Sequence, residues 1–439
     1  MMRGVLRTAV PALTVVFALS ACGGGAGTDD VLSSGGWPGR HSDARNSNTA
    51  TAESVDDLAP GWTRPLGGPV GSPAGIAANG QVSVAAATEA GCNLFSFQMD
   101  TGRKRWCTRL APAVTTITPV SDGVANIYVG EDGGLLSFNE HGQRRWRIPV
   151  SGSPRSAQFT SDGSLLVVTH FGQVNVVDPQ TGQLEAPLFD LVPVPTLEDG
   201  QNLPRLASDH GLPACFGGSE DCPVATTPAV DTATDRVFVT VWRPGSDRSA
   251  LVALRYTAGD DAVVIEEWSV PDLPGGAVTS PVLSADGSTV YVHDGEGALW
   301  ALDAETGEAR WTHETGRPTA LGPAVTEDGL LLLASADGSA PLTALRDGGD
   351  SVEVEWERAD VTPYGAPAVT ADGRAYVVVD GDRGLAAAVL DLADGATMEE
   401  EPLDPATGLP VGTGVGPGGE FVITTLDGDV VVLREPQSV

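Results

Sequence analysis

Lysine is almost absent from this chain: of 25 basic residues Lys104 is the one lysine, and against 58 Asp and Glu they leave a formal charge of −33 over 439 residues. Nucleic acid and anionic lipid surfaces are bound through clustered cations, so neither is expected as a partner by charge. Arginine without lysine, beside abundant Ala, Gly, Val and Asp, reads as a GC-rich genome or as adaptation to salt. The acidity reads as solubility, with a cation-binding or basic-partner surface as the other account. Long amphipathic helical patterns are missing after residue 21, while 55 glycines and 32 prolines imply many turns, which together give an all-β composition. His41, His141, His170, His293 and His313 fall at unrelated positions, no carboxylates have the spacing of an EF-hand loop, and no G-x-S-x-G elbow occurs, so no metal and no catalytic residue is expected.

The one long apolar run, Ala9 to Leu19, is broken by Pro11 and Thr14 and preceded by Arg3 and Arg7. It falls short of the roughly 20 apolar residues that cross a bilayer, and a basic start followed by an apolar run and small residues is the order of a secretory signal. Leu19-Ser20-Ala21-Cys22 resembles the bacterial lipobox, in which the cysteine thiol takes a diacylglycerol and becomes the new N-terminus. Residues 1–21 are therefore expected to be a lipoprotein signal peptide, Cys22 the lipidated (palmitate-bearing) membrane anchor, and 22–36 a flexible tether, Gly-rich and then acidic.

Lipidation of Cys22 leaves Cys92, Cys107, Cys215 and Cys222, an even number in an oxidising compartment. Cys92 and Cys107 flank the hairpin-like stretch 93–106 and are placed to face each other across adjacent strands. Cys215 and Cys222 would close a small loop containing Glu220 and Asp221. Two disulfide bonds are expected; C-x6-C without paired histidines is not a zinc ligand set.

Self-similarity organises the rest. Tryptophans recur at Trp62, Trp106, Trp146, Trp268, Trp311 and Trp356, with gaps of 44, 40, 43 and 45 residues and one of 122 that holds an unmarked repeat end near Leu184 and an insertion. The clearest copy runs from Ala298 to Trp311: an alternating strand, a tight turn at Thr306-Gly307, and a second strand. Upstream of each hairpin a small residue and a proline open another strand pair, at Ser72-Pro73, Thr118-Pro119, Ser153-Pro154, Thr227-Pro228, Ser280-Pro281, Gly322-Pro323 and Ala366-Pro367. Asp-Gly turns follow at Asp122, Asp162, Asp286, Asp328 and Asp372. Four strands per roughly 43 residues is a propeller blade. Seven repeats end near Trp106, Trp146, Leu184, Trp268, Trp311, Trp356 and Pro402; Val411 to Leu433 supplies three strands of an eighth. The missing fourth is expected from Gly61 to Leu66, which closes the ring and removes the open edge. The fold class is an eight-bladed β-propeller over residues 37–439.

The repeat at Ala298–Trp311 resembles the pyrroloquinoline-quinone (PQQ)-like propeller repeat, in which the tryptophan packs between blades, and Trp37 to Asn46 resembles the segment before that family's first blade. The resemblance implies one of two classes. Quinoprotein dehydrogenases hold their quinone against adjacent cysteines, with calcium ligands nearby; this chain has no adjacent cysteines, and Arg155 is the one ionisable residue beside an inner-strand proline. BamB-like lipoproteins of β-barrel assembly, similar in length and architecture, bind partner proteins through loops on one face. The composition and tether fit an actinobacterial lipoprotein equally, which leaves cell membrane and outer membrane both open.

Between Pro187 and Val224 the repeat is interrupted by an insertion carrying Asp209, His210, Glu220 and Asp221, the candidate partner-binding loop. The expected function is a non-enzymatic, lipid-anchored, extracytoplasmic protein-binding scaffold of the cell envelope without cofactor. A quinone-dependent dehydrogenase and a small-molecule- or glycan-binding propeller are the alternatives.

Overall fold

The computed structural model describes residues 35–111, 118–193, 218–317, 319, 321–335, 338–404 and 407–436. Their strands pair into eight four-stranded antiparallel sheets arranged as a β-propeller. Numbered along the chain, blades 1 to 7 occupy 75–108, 120–149, 154–190, 229–270, 282–314, 324–358 and 363–402. Blade 8 takes Pro410–Val415, Phe421–Thr425 and Asp429–Arg434 from the C-terminal part and its outermost strand, Ala59–Pro65, from the N-terminal part. Trp62 pairs with Val432 and Thr63 with Val431, so the ring closes with the expected segment, starting two residues earlier.

The burial pattern of each strand follows its radial position. Middle strands are covered on both faces by neighbouring blades and read as apolar runs: Thr289–His293 is buried throughout. Outermost strands alternate, as in Ala309–Glu314, where Trp311 alone is fully inside. The core is therefore a series of seams. Tyr291, Leu299 and Trp311 of blade 5 pack with Val325, Leu331 and Leu345 of blade 6, and equivalent clusters separate other pairs.

The recurring tryptophans lock those seams. Trp62, Trp106, Trp146 and Trp356 donate their indole N–H to the carbonyls of Met99, Glu140, Pro179 and Leu392, at the hairpin turn of the next blade. Trp311 donates to the Asp347 carboxylate in the same place. The Trp62, Trp106, Trp146, Trp268 and Trp356 rings lie where a side chain would otherwise stand: a Cβ on Gly102 would come within 2.5 Å of the Trp62 ring. The period of tryptophan and Thr-Gly in the sequence is thus one contact repeated around the ring.

Two local differences have physical causes. At Asp122-Gly123 the left-handed residue is Ala125 (φ 60), whereas blade 3 places Gly163 (φ 82) there. The Asp122 carboxylate accepts from the N–H groups of Val124 and Asn126 and from the Tyr128 hydroxyl, which moves the turn along the chain. A left-handed alanine is strained by roughly 1–2 kcal/mol. Ala125→Gly is expected to raise stability by about 0.5–1 kcal/mol, read from the urea midpoint. Phe189 and Asp190, within the span read as insertion, pair with Val174 and Gln173 and form the short outermost strand of blade 3.

Cys92 and Cys107 are joined, with Cα atoms 5.7 Å apart, across the two outer strands of blade 1. Cys222 is disulfide-bonded as well. Cys22, Asp209, His210 and Cys215 lie outside the described residues.

Candidate functional site: a strap through the central channel

The innermost strand of a blade has one paired edge; its other edge points at the axis with N–H and C=O groups to be satisfied. In this chain the residues before the first blade satisfy them. Trp37 exchanges backbone hydrogen bonds with Ile76 of blade 1, and Pro38 accepts from Ser121 of blade 2. Ala44 accepts from Val230, Arg45 from Leu283, Ser47 from Val325 and Asn48 from Val369, the inner strands of blades 4, 5, 6 and 7 in order. Blade 3 joins through Gln158, whose Nε2 donates to Asn46 Oδ1 at 3.1 Å. Residues 37–50 are a strap that makes one circuit of the channel before Ser54, Val55 and Leu58 tie it to blade 7 and Ala59–Pro65 enters blade 8.

Three left-handed residues, Ser42 (φ 72), Asn46 (φ 60) and Asn48 (φ 54), give the strap its curvature; short polar side chains tolerate that conformation best. Asn46 is fully buried, and its Nδ2 donates to the carbonyls of Thr227 at 3.0 Å and Pro281 at 2.8 Å. Asp43 braces the far side: its carboxylate accepts from the Ser47 N–H and hydroxyl, both at 2.9 Å, and from Arg45 Nε at 3.1 Å, while Arg45 also reaches Glu327 of blade 6 at 2.8 Å. Above the strap, on the side carrying the turns between first and second strands, lies a funnel of about 1120 Å³ lined by Asp43, Arg45, Gln158, Glu327, Asp328 and Asp372 among others.

The sequence reading places Arg155 alone among charged residues beside the inner-strand prolines; the strap adds Arg40 and His41. Burial, then the charge of Arg40, lowers Arg155 to about 9, and its guanidinium donates to the Ala225 carbonyl at 2.7 Å. Burial, then Arg40, lowers His41 to about 3, against the opposing hydrogen bond with Asn48. His41 is therefore neutral at pH 7. An unfolded histidine titrates near 6.5, so between that pH and about 3 the unfolded chain binds the extra proton, and stability falls as pH falls through this window. The expected loss from His41 is about 2 kcal/mol at pH 5. Buried His293, lowered to about 4, adds a slope of the same sign, so His41→Gln is expected to reduce the pH dependence of the urea midpoint between pH 7 and 5 by about half; an unchanged slope would assign the titration elsewhere.

Of the candidate loop, Glu220 and Asp221 stand in a turn closed by the Ser219–Cys222 bridge. Glu220 accepts from the Gly245 N–H at 3.2 Å, and both carboxylates are exposed on blade 4, apart from the strap. Among the described residues no group of three or more His, Cys, Asp or Glu is placed to hold a metal ion. The Cys92–Cys107 bridge joins outer strands of blade 1 rather than facing the axis. The described residues thus do not fit a quinone held on cysteines with a calcium ion.

Residues 47–189 and 229–433 match the family model of the outer membrane protein assembly factor BamB. The chain belongs to that family. The stretch the BamB model leaves unmatched, 190–228, takes in residues 190–224 of the insertion. Protein Rv3035 of Mycobacterium tuberculosis is 37% identical over 418 residues, covering 94% of this chain and 99% of the relative. Among solved structures, BamB from Moraxella catarrhalis superposes with a TM-score of 0.56 at 16% identity, over 86% of this chain and all of that one. The quinohemoprotein alcohol dehydrogenase of Comamonas testosteroni superposes with a TM-score of 0.60 at 13% identity, over 92% of this chain and 82% of that one. At such identities both likenesses are of fold, and one fold carries unrelated functions.

Proposed function

We propose that this BamB-family chain is a lipid-anchored, extracytoplasmic, non-enzymatic scaffold that binds proteins of the cell envelope. The observation that carries this reading is the strap. At blades 1, 2, 4, 5, 6 and 7 the inner-strand edges around the axis, where a propeller would gather groups onto a cofactor, are bonded instead to residues 37–50 of the chain itself. What such a ring offers a partner is its loops and faces, held rigid by eight seams.

Cys22 makes the chain a membrane protein by one acyl-bearing residue, and the loop containing Glu220 and Asp221 is the surface proposed for the partner. The lipidated chain is to be captured from its own membrane alongside Cys22→Ala and alongside a chain in which a Gly-Ser linker replaces 194–222, with pyrroloquinoline quinone and calcium tested in parallel by thermal shift. Recovery of the same envelope proteins by the full chain, and their loss on removing the loop, is the expected result. A saturable quinone-dependent rise in Tm would overturn the reading in favour of a dehydrogenase, and Cys22→Ala remaining in the membrane fraction would overturn the anchor.

A further inference from the structure

A second cavity lies away from the axis, in the seam between blades 5 and 6. Cross-strand partners point to one face of a sheet, so His293, Leu299 and His313, paired in sequence across blade 5, form one row. Leu333, Thr343 and Glu357 form the opposing row of blade 6. Between the rows is a space of about 300 Å³, closed at its inner end by His293, Leu333, Ala334 and Ser335 and reaching Glu314 and Arg317 at the rim.

The inner end holds the anomaly. His293 is 1% exposed, and its backbone N–H is satisfied by the Thr279 hydroxyl, yet neither ring nitrogen has a hydrogen-bond partner among the described residues. Buried polar atoms are nearly always paired, and each that is not costs about 1–3 kcal/mol. Burial lowers this imidazole to about 4, so one nitrogen is a bare acceptor and the other a donor. Apolar atoms of Leu333, Ala334, Ala340 and Pro341 form much of the remaining wall, and at the rim the two carboxylates of Glu314 and Glu357 outnumber the one guanidinium of Arg317, a net negative charge that disfavours anions. The space is at the small end of ligand cavities, roughly 300–1,000 Å³.

We propose that this seam is a binding site for a small uncharged molecule with a compact apolar body and a hydroxyl head, the hydroxyl donating to the bare nitrogen of His293. The occupant is recognised by shape and by one buried hydrogen bond, independently of the strap and of the scaffold reading.

The probe is 4-methylphenol, with 4-methylbenzoate as its anionic counterpart, added to the full mature chain. The expected result is a saturable rise in Tm and a shift of the His293 imidazole 15N resonances with the phenol, and at least tenfold weaker binding of the benzoate. His293→Leu, which removes the acceptor, and Ala340→Trp, which fills the space while leaving His293 in place, are each expected to abolish the response with the circular dichroism spectrum unchanged. Imidazole resonances that stay fixed at millimolar phenol, as for a histidine bonded to trapped water alone, would overturn the proposal. So would equal binding of phenol and benzoate, or a response that persists in both variants.

Discussion

Asn46→Ala is expected to cost about 3–5 kcal/mol, measured by urea unfolding at pH 7, although the residue lies outside every blade. Its amide nitrogen donates to Thr227 and Pro281, carbonyls from blades 4 and 5, and its amide oxygen accepts from Gln158 of blade 3. Three blades thus meet on one buried side chain. Alanine would leave two buried carbonyls without these donors, at about 1–3 kcal/mol each, and would hold a Cβ at φ 60. Asn46→Gly removes the same hydrogen bonds without that strain and is expected to cost less by about 1 kcal/mol, which separates the amide from the backbone. In both variants proteolysis between residues 37 and 50 is expected to quicken, since the strap is what the amide holds in the channel. A loss below about 1 kcal/mol would mean that the backbone ladder alone secures the strap.

Blade number and ring closure were legible because both are written in side chains. Tryptophan recurs where one seam contact recurs, and the C-terminal repeat carries three strand patterns while Trp62 marks a fourth near the N-terminal side, the strand that pairs with Asp429–Arg434. Blade 3 shows the same rule from the other side: its outermost strand carries no tryptophan, is reduced to Phe189–Asp190 and a Val177–Leu184 bridge, and left only an apolar mark near Leu184. The strap was legible only as a lead-in: Trp37 to Asn46 resembled the segment before the first blade, but its course through the channel was not readable. Its bonds to blades 1, 2, 4, 5, 6 and 7 include backbone-to-backbone ones, and a carbonyl at Ala44 or Ser47 accepts a hydrogen bond whatever side chain it carries. The trace it leaves is the pair Asn46 and Asn48, suited to left-handed positions but equally suited to any loop. The turn at Asp122 lies where the Asp-Gly pair puts it, but its left-handed residue is Ala125 rather than a glycine, because the carboxylate there answers to Tyr128 and Asn126. His293 falls in the same class as the strap: its alternating strand gives its face, but only the opposing row of blade 6 creates the space beside it.

Trp62→Ala should lower stability by about 3–5 kcal/mol, the range for deleting a buried aromatic side chain. The ring is 8% exposed, packs against Phe97 with centroids 6.0 Å apart, lies beneath the Arg64 guanidinium at 5.7 Å, and donates to the Met99 carbonyl at 2.6 Å. Trp356 makes the equivalent contact between blades 6 and 7, donating to Leu392, so Trp356→Ala is expected to cost a similar amount. The two variants should unfold alike. Residues 66–74 lead straight from the strand bearing Trp62 into blade 1, just as 359–362 lead from the strand bearing Trp356 into blade 7, so the halves of both seams stay at high effective concentration when they part. The joint that no short linker crosses is the ladder of Ala59–Pro65 with Asp429–Arg434, and opening there leaves Trp62 packed on Phe97 and Met99 of blade 1. Unchanged urea m-values with similar losses are therefore expected in both variants. A lower m-value or a separate early phase in Trp62→Ala alone would mean that the ring opens at the ladder and that Trp62 helps to hold that joint as well.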